Sequence, residues 1–148
     1  MEDRKWMGEA LAEAARAADI GEVPIGAVIV RDGAVMGRGH NLRETDKDPT
    51  LHAEMIAIRE AARHLGGWRL MGCTLYVTIE PCPMCAAAIA AARIRRLYFG
   101  AYDPKSGGGD HGPRIFQHAT CHHKPEVVGG IEESRCSELL SSFFRDLR

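Results

Sequence analysis

The sequence lacks a long hydrophobic segment, and it lacks a strong excess of either charge. Its longest apolar runs, such as residues 86–92, are far shorter than the ~20 residues that a membrane-spanning helix requires. We therefore expect neither a membrane span nor a signal peptide. The net charge of -1 gives no global indication of nucleic-acid binding.

The chain also lacks an even set of cysteines, internal repeats and a domain linker. Five cysteines do not suit a framework of disulfide bonds, so we expect a reducing, cytoplasmic environment. A length of 148 residues is enough for one domain with its own core, and we expect residues 1–148 to form that domain. The tract 106–109 is too short for a linker and predicts a flexible loop.

Two short motifs carry possible ligands for a metal ion. His-Ala-Glu begins at His52, and Pro-Cys-Pro-Met-Cys supplies Cys82 and Cys85. These three ligands would leave a tetrahedral zinc ion with one position for water. Glu54, which need not be a ligand, can then transfer the proton that this water loses. The pattern favours a catalytic zinc site over a structural one.

The spacing around the first motif predicts a helix. Apolar residues recur at intervals of 4, 3, 4 and 3, and they are Leu51, Met55, Ile58, Ala62 and Leu65. The segment 48–50, Asp-Pro-Thr, is a plausible start for this helix. Residues two apart lie about 200° around a helix. His52 and Glu54 can therefore converge only at its N-terminal tip.

The second motif predicts another helix N-terminus. Residues 74–80 have the pattern of a strand that Pro81 stops, and residues 82–92 have the pattern of a helix. Cys82 and Cys85 are then neighbours on one helical face. The positive potential at the start of the helix favours thiolate, the form of cysteine that binds metal.

Other interpretations of these residues stay open. A closed structural zinc site would need a fourth ligand, for which the sequence offers Cys73, Cys121, His122, His123 and Cys136. That site would leave Glu54 without a role, and a thioredoxin-like redox pair would leave His52 without one as well. A second metal site at Cys121-His122-His123 with His118 lacks a plausible fourth ligand. Phosphate contact by these histidines is the preferred interpretation.

The remaining pattern predicts an α/β fold with a mixed sheet and helices on both faces. A helix over residues 3–19 precedes a hairpin of strands at 25–30 and 34–38, with Asp-Gly at the turn. Further strands are expected at 96–101 and near Val127, followed by a final helix. Residues 86–124 hold six basic and two acidic residues with four histidines, which suits either a phosphate-binding patch or a solvated surface.

At the two metal-site motifs the chain resembles the zinc-dependent nucleoside and nucleobase deaminases. Several segments are similar, more closely, to bacterial tRNA-specific adenosine deaminases: 22–28, 48–55, 76–82, 92–94, 99–101 and 143–145. The resemblance implies a three-layer α/β/α cytidine-deaminase-like fold with one Zn²⁺ per subunit. It also implies a homodimer that binds a tRNA anticodon stem-loop and converts the wobble adenosine of an arginine tRNA to inosine, with Glu54 as the proton shuttle.

The resemblance further implies substrate-binding positions, which are Asn41, Ala53, Asp103, Lys105 and Phe144. An asparagine can read a purine edge because it offers a donor and an acceptor, although a turn residue is the alternative for Asn41. Phe144 can stack on an anticodon-loop base or join a core stripe formed by Cys136, Leu140, Phe143 and Leu147. Residues 107–112 depart from the usual family loop.

Three functions are therefore compatible with the sequence. The first is deamination of adenosine in tRNA. The second is deamination of a free base or nucleoside, such as guanine or cytosine, which would use the same zinc chemistry in a different pocket. The third is a zinc-dependent interaction module without catalysis.

Overall fold

A computed structural model describes residues 2–147 of the chain. The helices and strands, in chain order, are α1 (Glu2–Asp19), β1 (Gly26–Arg31), β2 (Ala34–His40), α2 (Ala53–Leu65), β3 (Thr74–Ile79), α3 (Pro83–Ala91), β4 (Arg96–Ala101), β5 (Glu126–Val128) and α4 (Glu133–Asp146), with a short 3-10 helix at Ile115–Gln117. The order of elements predicted from the sequence is confirmed.

The five strands form a single mixed sheet in the order β2-β1-β3-β4-β5. β1 is antiparallel to β2 and to β3, whereas β3, β4 and β5 run parallel. The central pairs align Ala27 with Val77 and Val77 with Phe99, and all three side chains are fully buried. The parallel half places the C-terminal ends of β3 and β4 at the same edge of the sheet.

Helices cover both faces of this sheet, which confirms the three-layer α/β/α architecture. α2 and α3 pack on one face around Ile89, Leu97 and Phe99. α1 and α4 pack on the other face around Met7, Val28 and Tyr76. No helix within residues 2–147 is long and apolar enough to cross a membrane.

The buried face of α2 differs from the predicted one. The core positions are Ala53, Ala57 and Ala61, each fully buried. The larger helical residues of the predicted stripe, Met55, Ile58 and Leu65, are only half-buried. The reason is the composition of β2. A Cβ atom at Gly37 or Gly39 would overlap the backbone of α2, so the helix lies close to the sheet and only small side chains fit between them.

Two further expectations about helix ends are wrong. α2 begins at Ala53 with His52 as its N-cap. Asp48 instead forms a turn, because its side chain accepts hydrogen bonds from the backbone and hydroxyl groups of Thr50 at 2.9 and 2.7 Å. In α4, Cys136 is buried as expected, but Leu147 is 68% exposed and does not belong to the core stripe.

Candidate active site

Two helix N-termini meet at the C-terminal edge of the parallel strands. His52 caps α2 and Cys82 caps α3, and both have extended backbone conformations, with ψ angles of 157° and 170°. Pro83 occupies the first turn of α3, where its missing N–H leaves no hydrogen bond unmade. The two caps therefore turn their side chains towards one point in front of both helices.

The side chains of His52, Cys82 and Cys85 form a compact cluster at this point. The Nδ1 atom of His52 lies 3.6 Å from Sγ of Cys82 and 3.5 Å from Sγ of Cys85. Zinc bonds of about 2.3 Å to sulfur and 2.0 Å to nitrogen, at a tetrahedral angle, would separate these atoms by about 3.5 Å. The donor set and its spacing therefore fit a zinc ion.

The cluster contains three ligands and leaves one coordination position free. Among residues 2–147 no fourth cysteine, histidine or carboxylate joins the three possible ligands. The cysteines and histidines that the closed structural alternative needs lie elsewhere in the fold. A three-ligand zinc site keeps a position for water or substrate, and the geometry therefore favours the catalytic interpretation.

The electrostatics of the cluster prepare one thiolate and one thiol. A hydrogen bond from Cys85, together with one from His52, lowers the pKa of Cys82 to about 4 despite partial burial. The same hydrogen bond to Cys82, followed by burial, raises the pKa of Cys85. Binding of a metal ion by both sulfur atoms would therefore release the proton of Cys85.

Glu54 lies in the first turn of α2, directly beside the cluster. Its side chain is only 2% exposed, and this burial raises the pKa of the carboxyl group to about 7, with a further contribution from the charge of Cys82. A carboxyl group with a pKa near neutrality can both accept and donate a proton at physiological pH. Glu54 can thus perform acid–base chemistry next to the ion without being one of its ligands.

A small cavity opens next to His52. Its volume is about 140 Å³, and it is lined by Val23, Ile25, Asn41, Arg43, His52 and Ala53. Pockets for drug-sized ligands are typically about 300–1,000 Å³, so this cavity suits one small ring system rather than a whole nucleotide. Asn41 and Ala53, two of the substrate positions implied by the resemblance, thus lie together.

The same cavity includes a residue that sequence reasoning missed. Arg43 lines the cavity with an exposed side chain, and its backbone N–H donates a hydrogen bond to Oδ1 of Asn41 at 3.2 Å. Asn41 therefore has the local bond expected of a turn residue as well as a position in the cavity wall. Nothing in the local sequence pattern separates Arg43 from an ordinary surface arginine.

The remaining predicted substrate residues lie outside this cavity. Asp103 and Lys105 are in the loop after β4, Asp103 half-buried and Lys105 exposed. Phe144 is 48% exposed on α4, where its ring makes an edge-to-face contact with half-buried Phe143. Phe144 does not line the cavity, and α4 packs on the opposite face of the sheet from α2 and α3.

The loop predicted to be flexible is in fact packed. Gly107, Gly108 and Gly109 are buried, and the first two leave no room for a side chain. The cause is Glu80, a second residue that sequence reasoning missed. Burial alone would raise the pKa of this carboxyl group, but hydrogen bonds from Asp103 and His111 outweigh it and hold the pKa below its usual value.

Two of the histidines near Cys121 are bound to backbone carbonyl groups. Nε2 of His118 bonds to the carbonyl of Pro113 at 2.5 Å, and Nε2 of His123 bonds to that of Ile94 at 2.6 Å. The thiol of Cys121 donates to the carbonyl of His123 at 3.1 Å. Within residues 2–147 these side chains do not form a metal-binding group.

Comparisons with known proteins agree with this geometry. Residues 1–101 match the model of the cytidine and deoxycytidylate deaminase zinc-binding region. The chain is 50% identical over 147 residues to the tRNA-specific adenosine deaminase of Bacillus subtilis (strain 168), a match that covers 99% of this chain and 91% of that protein.

Two solved structures are also similar. One comes from a study of A-to-I editing by tRNA:A34 deaminases at the wobble position of transfer RNA. It superposes with a TM-score of 0.90 at 53% identity and covers 92% of this chain and 99% of that one. The guanine deaminase of Bacillus subtilis superposes with a TM-score of 0.64 at 42% identity and covers 66% of this chain and 63% of that one.

Proposed function

The chain belongs to the cytidine and deoxycytidylate deaminase family. We propose that it deaminates the wobble adenosine of an arginine-type tRNA anticodon hydrolytically, which converts it to inosine. The observation that carries the proposal is the three-ligand cluster beside a buried carboxyl group of raised pKa. The tRNA substrate is supported by the similarity to deaminases of that specificity over nearly the whole chain.

The ligands of the zinc ion are, in this proposal, His52, Cys82 and Cys85. Zinc, when bound, supplies a Lewis acid that makes water acidic enough to lose a proton near neutral pH. His52 and the two cysteines would hold the ion in one fixed position, because they lie at the N-termini of two helices that pack together.

Glu54 moves the protons of the reaction. It takes a proton from the attacking water and transfers it to N1 of adenine. It then takes the remaining proton of the hydroxyl group added at C6 and delivers it to the amino group, which leaves as ammonia. The balance is adenosine plus water to inosine plus ammonia. The buried position of Glu54 shields these transfers from bulk water.

The substrate contacts are assigned by position. Asn41 and Ala53 line the small cavity and would contact the edge of the base. Asp103 and Lys105 would contact the RNA outside the cavity, as would Phe144, whose exposed ring is suited to stacking. These contacts come from the family resemblance, and the exposure of Lys105 and Phe144 supports them.

The assembly and location follow from the same proposal. Residues 1–148 act as one deaminase domain in a cytoplasmic homodimer, in which a second subunit extends the RNA surface. The exposed ring of Phe144 supports this arrangement, because it stands on α4, which packs on the opposite face of the sheet from α2. A phenylalanine from one subunit can then serve the site of the other.

A comparison of substrates tests the proposal. The protein is incubated with an anticodon stem-loop that carries adenosine, with guanine and with cytosine, and ammonia and inosine are measured. Inosine formed in the RNA, with the free bases unchanged, is the expected result. Guanine deamination with inert RNA would favour the alternative that the similarity to guanine deaminase suggests. Absence of ammonia from all three would indicate an interaction module.

A further inference from the structure

Glu80 is a buried carboxylate that the proposed chemistry does not use. Its side chain is 0% exposed. Oε1 accepts hydrogen bonds from the backbone N–H of Asp103 at 3.0 Å and from Nδ1 of His111 at 2.8 Å. Oε2 accepts from the backbone N–H groups of Asp110 and His111 at 3.0 and 2.9 Å. One carboxylate thus binds both ends of the loop after β4.

The middle of the same loop lies against the turn that carries the first cysteine ligand. The backbone N–H of Gly108 donates to the carbonyl of Pro81 at 2.7 Å. A Cβ atom at Gly107 would overlap the carboxylate of Glu80, and one at Gly108 would approach the backbone of Pro83 to 2.6 Å. The two glycines therefore allow the loop to close on the cluster end of the fold.

Only a carboxylate can satisfy all four donors at this position. Three backbone N–H groups and one imidazole N–H point at the two oxygens of Glu80. A carboxylate is acceptor-only, whereas a glutamine has one acceptor oxygen and an NH₂ group that would face other donors. A glutamate at position 80 therefore satisfies four donors of the loop at once.

We propose that Glu80 is a positioning residue for RNA binding. It acts through the loop from Asp103 to His111, which it holds against the cluster so that Asp103 and Lys105 face the substrate. The proposal rests on the proposed function, because it assumes that these two residues contact RNA. It also explains the stretch 107–112 that departs from the family pattern. His111 supplies two of the four hydrogen bonds, Gly107 leaves room for the carboxylate, and Gly108 leaves room for the backbone of Pro83.

The test compares Glu80→Gln with Glu126→Gln in the zinc-loaded protein. Glu126 is an exposed glutamate on β5 that forms an ion pair with Arg96 of β4. The same chemical change is therefore made away from the loop. With the stem-loop substrate, the loss of at least one charged hydrogen bond in Glu80→Gln should raise KM about tenfold or more while kcat changes less than about threefold. Glu126→Gln should leave both constants unchanged.

Hydrogen exchange and zinc content separate positioning from a general structural effect. The amides of Asp103, Asp110 and His111 should exchange faster in Glu80→Gln, while the amides of β3 keep their protection and the zinc content stays at one per chain. Loss of zinc, or a fall in kcat at constant KM, would overturn the proposal. So would unchanged exchange in the loop.

A second variant keeps the proposal testable if Glu80→Gln does not fold. His111→Ala removes one of the four hydrogen bonds from a partly exposed side chain, and it should raise KM in the same direction but by less. An unchanged KM in that variant would contradict the proposal. If the wild-type protein forms no inosine in RNA, the proposed function fails, whereas the exchange measurement still reports whether Glu80 holds the loop.

Discussion

The Nδ1 atom of His52 lies 3.5 Å from the Sγ atom of Cys85, although the two residues are 33 positions apart in the chain. Each is held by the N-terminal turn of a different helix, and these helices pack on the same face of the sheet. The separation matches that of two ligands on one tetrahedral zinc ion. The fold therefore presets the centre rather than leaving it to be assembled by the metal.

Removal of one ligand should release the metal without unfolding the protein. We expect Cys82→Ala to lose zinc and deaminase activity, whereas Cys121→Ala should retain about one zinc per chain because its thiol bonds only to a backbone carbonyl. Metal analysis of the purified proteins measures this difference. Equal zinc content in the two variants would exclude Cys82 as a ligand.

Replacement of Glu54 should abolish turnover and spare the metal. Glu54→Gln keeps the shape of the side chain but cannot carry protons, so the rate should fall by at least about 100-fold. Glu60→Gln, an exposed change on the same helix, is the control and should retain full activity. Ammonia release and zinc content are measured on the same samples. Appreciable turnover by Glu54→Gln would contradict the role as proton shuttle.

Much of the fold could be predicted because local sequence patterns determined it. The strand at Arg96–Ala101 and the long first helix follow apolar periodicity closely. The buried face of α2 was predicted wrongly, since periodicity favours the largest apolar residues. The real interface depends on Gly37 and Gly39 in another element, which bring the helix too close for large side chains.

The candidate site was also predicted only in part from the sequence. The His-Ala-Glu and Pro-Cys-x-x-Cys motifs are local, so the sequence alone indicated which side chains would meet. Arg43 and Glu80 could not be found because their positions depend on contacts between distant segments. Glu80 is 31 positions from its partner His111, and no spacing rule connects a residue at the end of a strand to a loop that follows the next strand.

The close contact between β2 and α2 should be sensitive to a single methyl group. Gly39→Ala would place a Cβ atom against the backbone of Ala53, and overpacking of this kind costs about 1–3 kcal/mol in the free energy of unfolding. Gly8→Ala lies in the interior of α1 with open space around it, and it should instead stabilise by about 0.5–1 kcal/mol. Urea denaturation of both variants measures the change in the free energy of unfolding, which should be negative for Gly39→Ala and positive for Gly8→Ala.

Arg43 should contribute to substrate binding more than to chemistry. It lines the cavity beside Asn41, where its charge can attract the phosphates next to the target nucleotide. We expect Arg43→Ala to raise KM for the stem-loop several-fold. The KM of the variant should also rise less steeply with salt concentration than that of the wild type, because one contact with phosphate is gone. Arg63→Ala, at the far end of α2, should leave KM unchanged. Equal effects of the two variants would indicate a non-specific charge contribution.

Glu22 should make the stability of the cavity wall dependent on pH. Burial of Glu22 by itself raises its pKa, but hydrogen bonds from Thr45 and from the backbone of Glu44 outweigh it and hold the pKa below the ordinary value of 4.5. Because the pKa of Glu22 is lower in the folded state, its ionised form stabilises the fold. The stabilisation is fully present above about pH 4.5 and is lost as the pH falls through the lower pKa of the folded state.

The measurement compares wild type and Glu22→Gln by urea denaturation between about pH 3 and pH 7. The difference in the free energy of unfolding should be constant in the upper part of this range and should shrink below about pH 4.5, because the wild type alone loses a charge there. Both proteins keep the same metal cluster, so its own titration cancels in the difference.

Thr45→Val removes the hydroxyl that donates to Oε2 of Glu22 at 2.6 Å, and it should move the decline towards higher pH. A difference that grows on acidification would mean that Glu22 is destabilised as a carboxylate, and the hydrogen bonds to the loop would then not outweigh its burial.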